Sequence, residues 1–475
     1  MIELKPYPTM KDSGVPWLGD VPEHWGTRPL KRWVRMNAEV LPETTAPDHQ
    51  FRYLDIGSVG TGVLTQKPQR LRFGTAPSRA RRVVRNGDTI VSTVRTYLKA
   101  VYFVEGEADD LVCSTGFAVL SPDRDTLPKF LSYVAQSSSF TDRVTADSVG
   151  IAYPAIAETR LGSFHIAVPH LPEQAAIVRF LDHADRRIRR YIRAKQKLIK
   201  LLEEQKQAII HSAVTRGLDP SVRLKPSGVE WLGDVPEHWE VRRVKSLSLV
   251  KRGASPRPIA DPKYFDEAGE YAWVRIADVS ASSRYLEKTT QRLSSLGDSL
   301  SVRLEPGALF LSIAGSVGKP MISKIKCCIH DGFVYFPQFR GNAEFLCRIF
   351  SCGAPFGRLG KLGTQLNLNT DTVGGICVGW PPPGEQAAIV AYLDEATASS
   401  ERAIVSTGRE IDLLGEYRTR LIADVVTGKL DVREAAARLP HEAEDLKPLD
   451  DTEAESETEE VDADDGDGEP EDAEA

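Results

Sequence analysis

Residues 14–25 read GVPWLGDVPEHW and residues 228–239 read GVEWLGDVPEHW, so eleven of twelve positions match at an offset of 214 residues. Two further echoes follow in the same order. Residues 173–182, EQAAIVRFLD, face residues 385–394, EQAAIVAYLD, and residues 213–219, AVTRGLD, face residues 425–431, VVTGKLD, both at an offset of 212. Solenoid repeats run about 20–50 residues, so a period this long describes duplication of a whole domain with its connecting element. Between the landmarks the copies diverge: residues 26–165 and 240–377 share only fragments such as GDTIVST (87–93) beside GALFLSI (307–313). A frame is kept while its contents differ.

The connecting element is a long helix. Residues 173–212 hold no Gly or Pro, and 40 residues at about 1.5 Å each would span about 60 Å. Spacings of four and three place Ile177, Leu181, Ala184, Ile188, Tyr191, Leu198, Leu202 and Ile209 on one stripe, with Lys195 and Gln205 as polar exceptions; this is the pattern of a coiled-coil seam. In residues 385–424 the matching places hold Ile389, Leu393, Ala396, Leu414, Tyr417 and Leu421, while Ser400, Thr407 and Glu410 interrupt the stripe. Ile404 and Ile411 stand one position further on, so this seam is expected to drift. Gly408 and Gly415 each cost about 1 kcal/mol against Ala inside a helix, which leaves the second helix more dependent on packing.

The divergent stretches read as mixed α/β, with β-rich runs at residues 81–94 and 307–315 and helices near residues 129–137 and 344–352. The expected architecture is two globular domains, residues 12–170 and 228–381, separated by two long antiparallel coiled-coil helices, residues 171–213 and 382–432. A linker at 214–227 completes a pseudo-twofold internal repeat, and residues 433–475 form an acidic, disordered tail.

The formal charge of −7 hides an asymmetry. Residues 441–475 carry 18 Asp and Glu against one Lys, which leaves 59 basic and 49 acidic residues in 1–440, a net of +10. A basic body suits a polyanionic partner; the tail has almost nothing to bury. No apolar run of about 18 residues occurs, and the opening MIELKPYPTMKDSG lacks a signal-peptide stretch, which points to the cytoplasm. Cys113, Cys327, Cys328, Cys347, Cys352 and Cys377 include no CxxC pair, so buried reduced thiols are expected and no metal site is implied.

Catalytic signatures are missing. The nearest string to a phosphate-binding loop, GSVGKP at 315–320, has the wrong glycine spacing and Pro where the magnesium-binding hydroxyl belongs. HExxH, GxSxG and GxGxxG do not occur. WPPPG at 380–384 has its aromatic on the wrong side for a DNA amino-methyltransferase and reads as a stiff entry into the second long helix. Asp20 and His24, mirrored by Asp234 and His238, lack a nucleophile and read as turn or interface residues.

The doubled WLGDVPEHW, the doubled EQAAIV opening a long helix and the VTxxLD closures together resemble the specificity subunit of type I restriction-modification systems, over nearly all of residues 12–432. The resemblance implies two target recognition domains, each reading one half of a split, asymmetric double-stranded DNA site, with the paired helices as a ruler. It implies a subunit without catalytic activity or cofactor of its own. Its partners would be two modification subunits, which methylate adenine with S-adenosylmethionine, and restriction subunits, which cleave DNA with ATP and Mg2+. An acidic tail is not part of that pattern. By residue type and loop placement, the candidate DNA contacts are Arg79, Arg81, Arg82, Arg95, Tyr97 and Lys99 in the first domain. In the second they are Lys251, Arg252, Arg257, Lys361, Gln365, Asn367 and Asn369. The competing reading is a coiled-coil interaction scaffold that bridges proteins without reading DNA.

Overall fold

In the run RRVVRNGDTIVSTV the chain turns at Gly87, whose φ of +91° suits a residue without a side chain. The Asp88 carboxylate accepts the Arg85 N–H at 2.8 Å and fixes that turn. The strands on either side, Ala80–Val83 and Thr89–Ser92, enter two different sheets. Thr89–Ser92 is buried along its whole length, so Ile90 and Val91 both face core and the strand shows no apolar–polar alternation.

The computed structural model describes residues 4–106, 108–151, 153–357, 361–362, 365–366 and 368–440. The chain divides into two units, residues 1–187 with 416 onward, and residues 188–415. The first holds a sheet ordered Gln69–Arg72, Gln50–Leu54, Leu111–Ser114, Ala80–Val83, in which the central pair is parallel. A second, antiparallel sheet is ordered Val34–Met36, Phe117–Pro122, Thr89–Ser92, Val101–Phe103. Helix Pro128–Gln136 starts with Pro at its first position, where the missing N–H is harmless, and buries Phe130, Leu131, Tyr133 and Val134. Gly26–Pro29 pairs antiparallel with His165–Val168, tying the start of the unit to the entry of the first long helix.

The second unit is built in the same way. One sheet is ordered Lys251–Arg252, Phe333–Tyr335, Leu309–Ser312, Pro320–Ser323, Tyr285–Leu286; the other is ordered Gln291–Arg292, Ala272–Val274, Cys327–Ile329, Val302–Leu304. Helix Ala343–Ser351 is capped by Asn342, whose side chain accepts the Phe345 N–H at 3.2 Å. Glu240–Arg243 pairs with Cys377–Trp380 at the entry of the second long helix.

The first long helix is Leu171–Arg216, three residues longer than the sequence suggested, and the second is Pro383–Val426, so residues 427–432 lie beyond it. Gly428 ends the second helix in the left-handed region at φ +76°, a conformation that opposes helix continuation. In the first unit Ile177 and Leu181 share a core with Leu421, Ile422 and Val425, and the Arg418 guanidinium bonds Asp185. In the second, Ile210, Ala213 and Val214 share a core with Ile389 and Leu393, and Lys195 pairs with Glu410.

The seam differs from its sequence reading at several positions. Ile188 is buried, Leu202, Ile209, Ile404, Ile411 and Leu414 are half-buried, and Leu198 is exposed. On the second helix Thr397, Ser400 and Thr407 are buried, so the stripe stays on its small polar positions and does not drift to Ile404 and Ile411. Thr can be buried in a helix because its hydroxyl bonds the carbonyl four residues back, as Thr397 does to Leu393 at 2.8 Å. Among the described residues no helix is long and apolar enough to cross a membrane.

Candidate nucleic-acid interface

The three repeated landmarks meet in space. In the first unit the Glu173 carboxylate, at the opening of the first long helix, accepts the Trp25 indole N–H at 3.2 Å and the Tyr7 hydroxyl at 2.7 Å. His24 Nε2 lies 2.8 Å from the other carboxylate oxygen, so the histidine faces Glu173 rather than Asp20. Burial first, then the hydrogen bond to Glu173, pushes the Tyr7 phenol well above its ordinary range and keeps it a donor. Gly428, from the third landmark, closes the other side: a Cβ there would lie 2.2 Å from Pro22 Cδ and 3.4 Å from the Trp25 ring.

In the second unit Glu385 takes the Trp239 N–H at 3.0 Å and the His238 ring at 2.8 Å. Here the glycine is Gly217, at φ +72°, beside Trp239 and Glu385. Each clasp therefore joins a tryptophan segment and its own helix start to the VTxxLD closure of the other copy. Side chains at these positions fix a base; they present no nucleophile.

The candidate DNA contacts separate into available and committed groups. Arg95, Tyr97 and Lys99 come together on one exposed turn around Thr96–Leu98. Arg95 and Lys99 are both in the left-handed region, at φ 50° and 48°, a conformation that non-glycine residues hold only when their surroundings impose it. Lys99 pairs with Asp142 at 2.6 Å, Arg79 with Asp55 at 3.3 Å and Arg257 with Asp331 at 3.3 Å. All three pairs are exposed, and such pairs contribute about 0–1 kcal/mol, so phosphate can replace the carboxylate at little cost. Arg252, on the edge of its sheet beside exposed Lys251, bonds the Asp331 carbonyl, so Asp331 gathers both arginines of that loop. Arg81 lies over the Phe73 ring at 4.4 Å.

Two candidates already serve the fold. Arg82 is largely buried and bonds Glu158, the Phe117 carbonyl and Asn37 Oδ1, so it ties strand Phe117–Pro122 to helix Glu158–Gly162 and has little surface left to offer DNA. Asn369 caps helix Thr370–Gly375, its side-chain oxygen accepting the Asp371 and Thr372 N–H groups at 2.9 Å. Asn369 is exposed and the cap uses only its side-chain oxygen. Lys361 and Gln365 fall in the paired strands Lys361–Leu362 and Gln365–Leu366; their side chains and Asn367 lie outside the described residues. Pro256 is buried and Pro258 exposed, so only part of that segment is a surface loop.

Sequence reasoning missed Glu173 and Glu385, although their place opening EQAAIV in both copies was visible. It also missed the exposed loop carrying Val149, Ile151 and Tyr153. Among the described residues no group of three or more His, Cys, Asp or Glu is placed to hold a metal ion.

Residues 81–201 match the model of the type I restriction modification DNA specificity domain. The type I restriction enzyme HindI specificity subunit of Haemophilus influenzae is 27% identical over 139 residues, 29% of this chain and 29% of that relative. A solved chain from work on complex assembly and conformational transition of the type I R-M system aligns with a TM-score of 0.63 at 25% identity, covering 86% of this chain and 99% of its own. In this one domain and in fold, the chain is similar to specificity subunits of type I restriction-modification systems. The HsdS subunit from Thermoanaerobacter tengcongensis aligns over 86% of this chain and 98% of its own, at 24% identity and a TM-score of 0.41. The matched span 81–201 runs from the strand beside Arg79 through the 95–99 turn and into the first long helix.

Proposed function

We propose that this chain is the DNA-reading subunit of a type I restriction-modification complex, binding a bipartite, asymmetric double-stranded DNA site and directing partner subunits to methylate adenine or cleave. The observation that carries the reading is the pairing of alike clasps, Trp25–Glu173 and Trp239–Glu385, with unlike exposed loops, 95–99 and 251–257. Alike bases mount two recognition domains, residues 12–170 and 228–381, in the same way. Unlike loops read two half-sites.

Sequence is read by side chains reaching base edges, each good bidentate contact giving about 1–3 kcal/mol of discrimination. Arg79, Arg81, Arg95 and Lys99 in one domain, and Lys251, Arg252 and Arg257 in the other, serve bases or phosphates; Tyr97 supplies a stacking face. The long helices pair antiparallel as a pseudo-twofold ruler, so the number of unread base pairs follows from protein dimensions. The ion pairs Asp185–Arg418 and Lys195–Glu410 each fit that direction.

The chain contributes no catalytic group. S-adenosylmethionine belongs to two modification subunits, and ATP and Mg2+ to the restriction subunits, all in the cytoplasm. The clasps, being alike, present alike surfaces to the two modification subunits. The acidic tail is a solubilising segment.

The test is the methylome of cells carrying this gene with its methyltransferase partner. A split adenine motif that vanishes on deletion of the gene is expected; an unchanged methylome refutes the reading. In vitro, the assembled complex should bind that motif with log K falling steeply against log salt.

A further inference from the structure

The most exposed apolar side chains of the first unit gather at one place. Val149, Ile151 and Tyr153 are 81%, 104% and 66% exposed. Beside them the 95–99 turn exposes Tyr97 and Leu98. The two loops are fastened together at their base: Thr96 Oγ1 bonds Ser148 Oγ at 2.8 Å, Thr145 Oγ1 bonds the Thr96 carbonyl at 3.2 Å, and Ile156 N bonds the Thr93 carbonyl at 2.8 Å. Val149 and Ala155 exchange both backbone hydrogen bonds, at 2.9 and 3.0 Å, which closes the 149–155 loop into a narrow projection. The Arg95 guanidinium sits 5.0 Å over the Tyr153 ring, and among the described residues it is paired with no carboxylate.

The repeat register gives this projection a counterpart. At the offset of 212 residues, Val149, Ile151 and Tyr153 stand opposite Lys361, Gly363 and Gln365 in the sequence. The second copy writes amide and ammonium groups, which hydrogen-bond; the first writes branched aliphatic groups and a phenol. An exposed apolar tip on a fixed base loses free energy in water and gains it only where something covers it.

We propose that Val149, Ile151 and Tyr153 form an apolar wedge that inserts against the base stack of bound double-stranded DNA, with Arg95 holding Tyr153 in place and facing the adjacent phosphate. The proposal rests on the DNA-reading function above and adds the chemistry of the first half-site: distortion and apolar contact, against hydrogen bonding in the second. The shape favours DNA over a protein partner. A tip of three side chains is far smaller than the roughly 800 Å2 per partner that a specific protein interface buries, whereas aliphatic side chains of this size part base steps when driven into a groove. A free cation at the foot of the wedge matches a phosphate backbone.

The test uses the full chain assembled with its methyltransferase partner on a duplex of its own methylation motif, with 2-aminopurine placed in turn at positions of the first half-site other than the methylated adenine, because the methyltransferase extrudes that base itself. Wild type should raise the fluorescence several-fold at one step, the mark of unstacking. The double variant Val149→Ser, Ile151→Ser changes only exposed side chains and should melt at the wild-type temperature. It should abolish that rise, weaken binding about ten-fold and leave the salt slope unchanged, because no charge is removed. Arg95→Ala should reduce the slope by about one. A motif bound by wild type with no fluorescence rise at any position, or a serine variant that keeps the rise and the affinity, refutes the wedge while leaving DNA reading intact. A serine variant that fails to assemble with the methyltransferase without DNA makes the tip a protein contact and also refutes it. A wild-type complex that binds no duplex refutes both proposals.

Discussion

Replacing Glu173 by Ala removes the acceptor at the centre of the first clasp. The carboxylate is nearly buried and faces Tyr7 at 2.7 Å, His24 at 2.8 Å and Trp25 at 3.2 Å. His24 is 41% exposed along its side chain and can turn to water. The Tyr7 hydroxyl and the Trp25 indole N–H are buried and cannot. Each buried donor left without an acceptor costs about 1–3 kcal/mol, so two give about 2–6 kcal/mol, and water entering the vacated space brings the expected loss to about 2–4 kcal/mol. Glu385→Ala strands only the Trp239 N–H and should cost about 1–3 kcal/mol.

Hydrogen exchange of the full chain reads this directly. The backbone ladder between Gly26–Pro29 and His165–Val168 should lose protection in Glu173→Ala, and the corresponding ladder between Glu240–Arg243 and Cys377–Trp380 should lose less in Glu385→Ala. Trp25→Phe keeps an aromatic ring, though a smaller one, and removes the donor, so in that background the cost of Glu173→Ala should shrink by about 1–2 kcal/mol. A loss below about 0.5 kcal/mol, or a cost unchanged by Trp25→Phe, would show that apolar packing alone holds the base and that the carboxylate is incidental.

Gly408→Ala should stabilise the second unit by roughly 0.5–1 kcal/mol in a urea titration, because the helix pays less backbone entropy and a Cβ there meets nothing within 4 Å. Gly428→Ala should instead destabilise the first unit by about 2 kcal/mol or more, since φ is +76° and Pro22 stands in the way; equal effects in the two variants would contradict the geometry. Arg82→Ala should lower the melting temperature while leaving the salt slope of DNA binding alone, the reverse of Arg95→Ala, because Arg82 is committed to Glu158 and Asn37. Among the thiols, half-exposed Cys377 should react first with a disulfide reagent. Burial pushes Cys113, Cys328 and Cys347 up to about 12 and Cys327 and Cys352 to about 11. A thiol raised in the folded state adds stability that is complete below the unfolded value of about 8.5 and fades as pH climbs toward 11–12. Stability should therefore fall above about pH 9, and substituting Cys347 by Ala should blunt that fall.

The sequence determined the frame. Duplicated landmarks, a Gly-free run of 40 residues and a mixed pattern of β-rich runs and short helices are one-dimensional signals, and the long helices, the helices at Pro128–Gln136 and Ala343–Ser351 and the mixed sheets follow from them. Residue type also placed Arg95, Tyr97 and Lys99 on one exposed turn. Tertiary structure alone decided which partners those residues have. Arg82 and Arg95 are identical in type and thirteen positions apart, yet one is enclosed by Glu158, Asn37 and the Phe117 carbonyl while the other faces solvent. Thr407 is buried and Leu198 exposed against the order of their hydrophobicity, because helix pairing sets which stripe is covered and a Thr hydroxyl can be satisfied within its own helix. The clasps show the same division. The sequence wrote the Trp segment and the Glu twice; only folding showed that Trp25 reaches Glu173 across 148 residues and Trp239 reaches Glu385 across 146, because contacts at such separations leave no mark in local spacing.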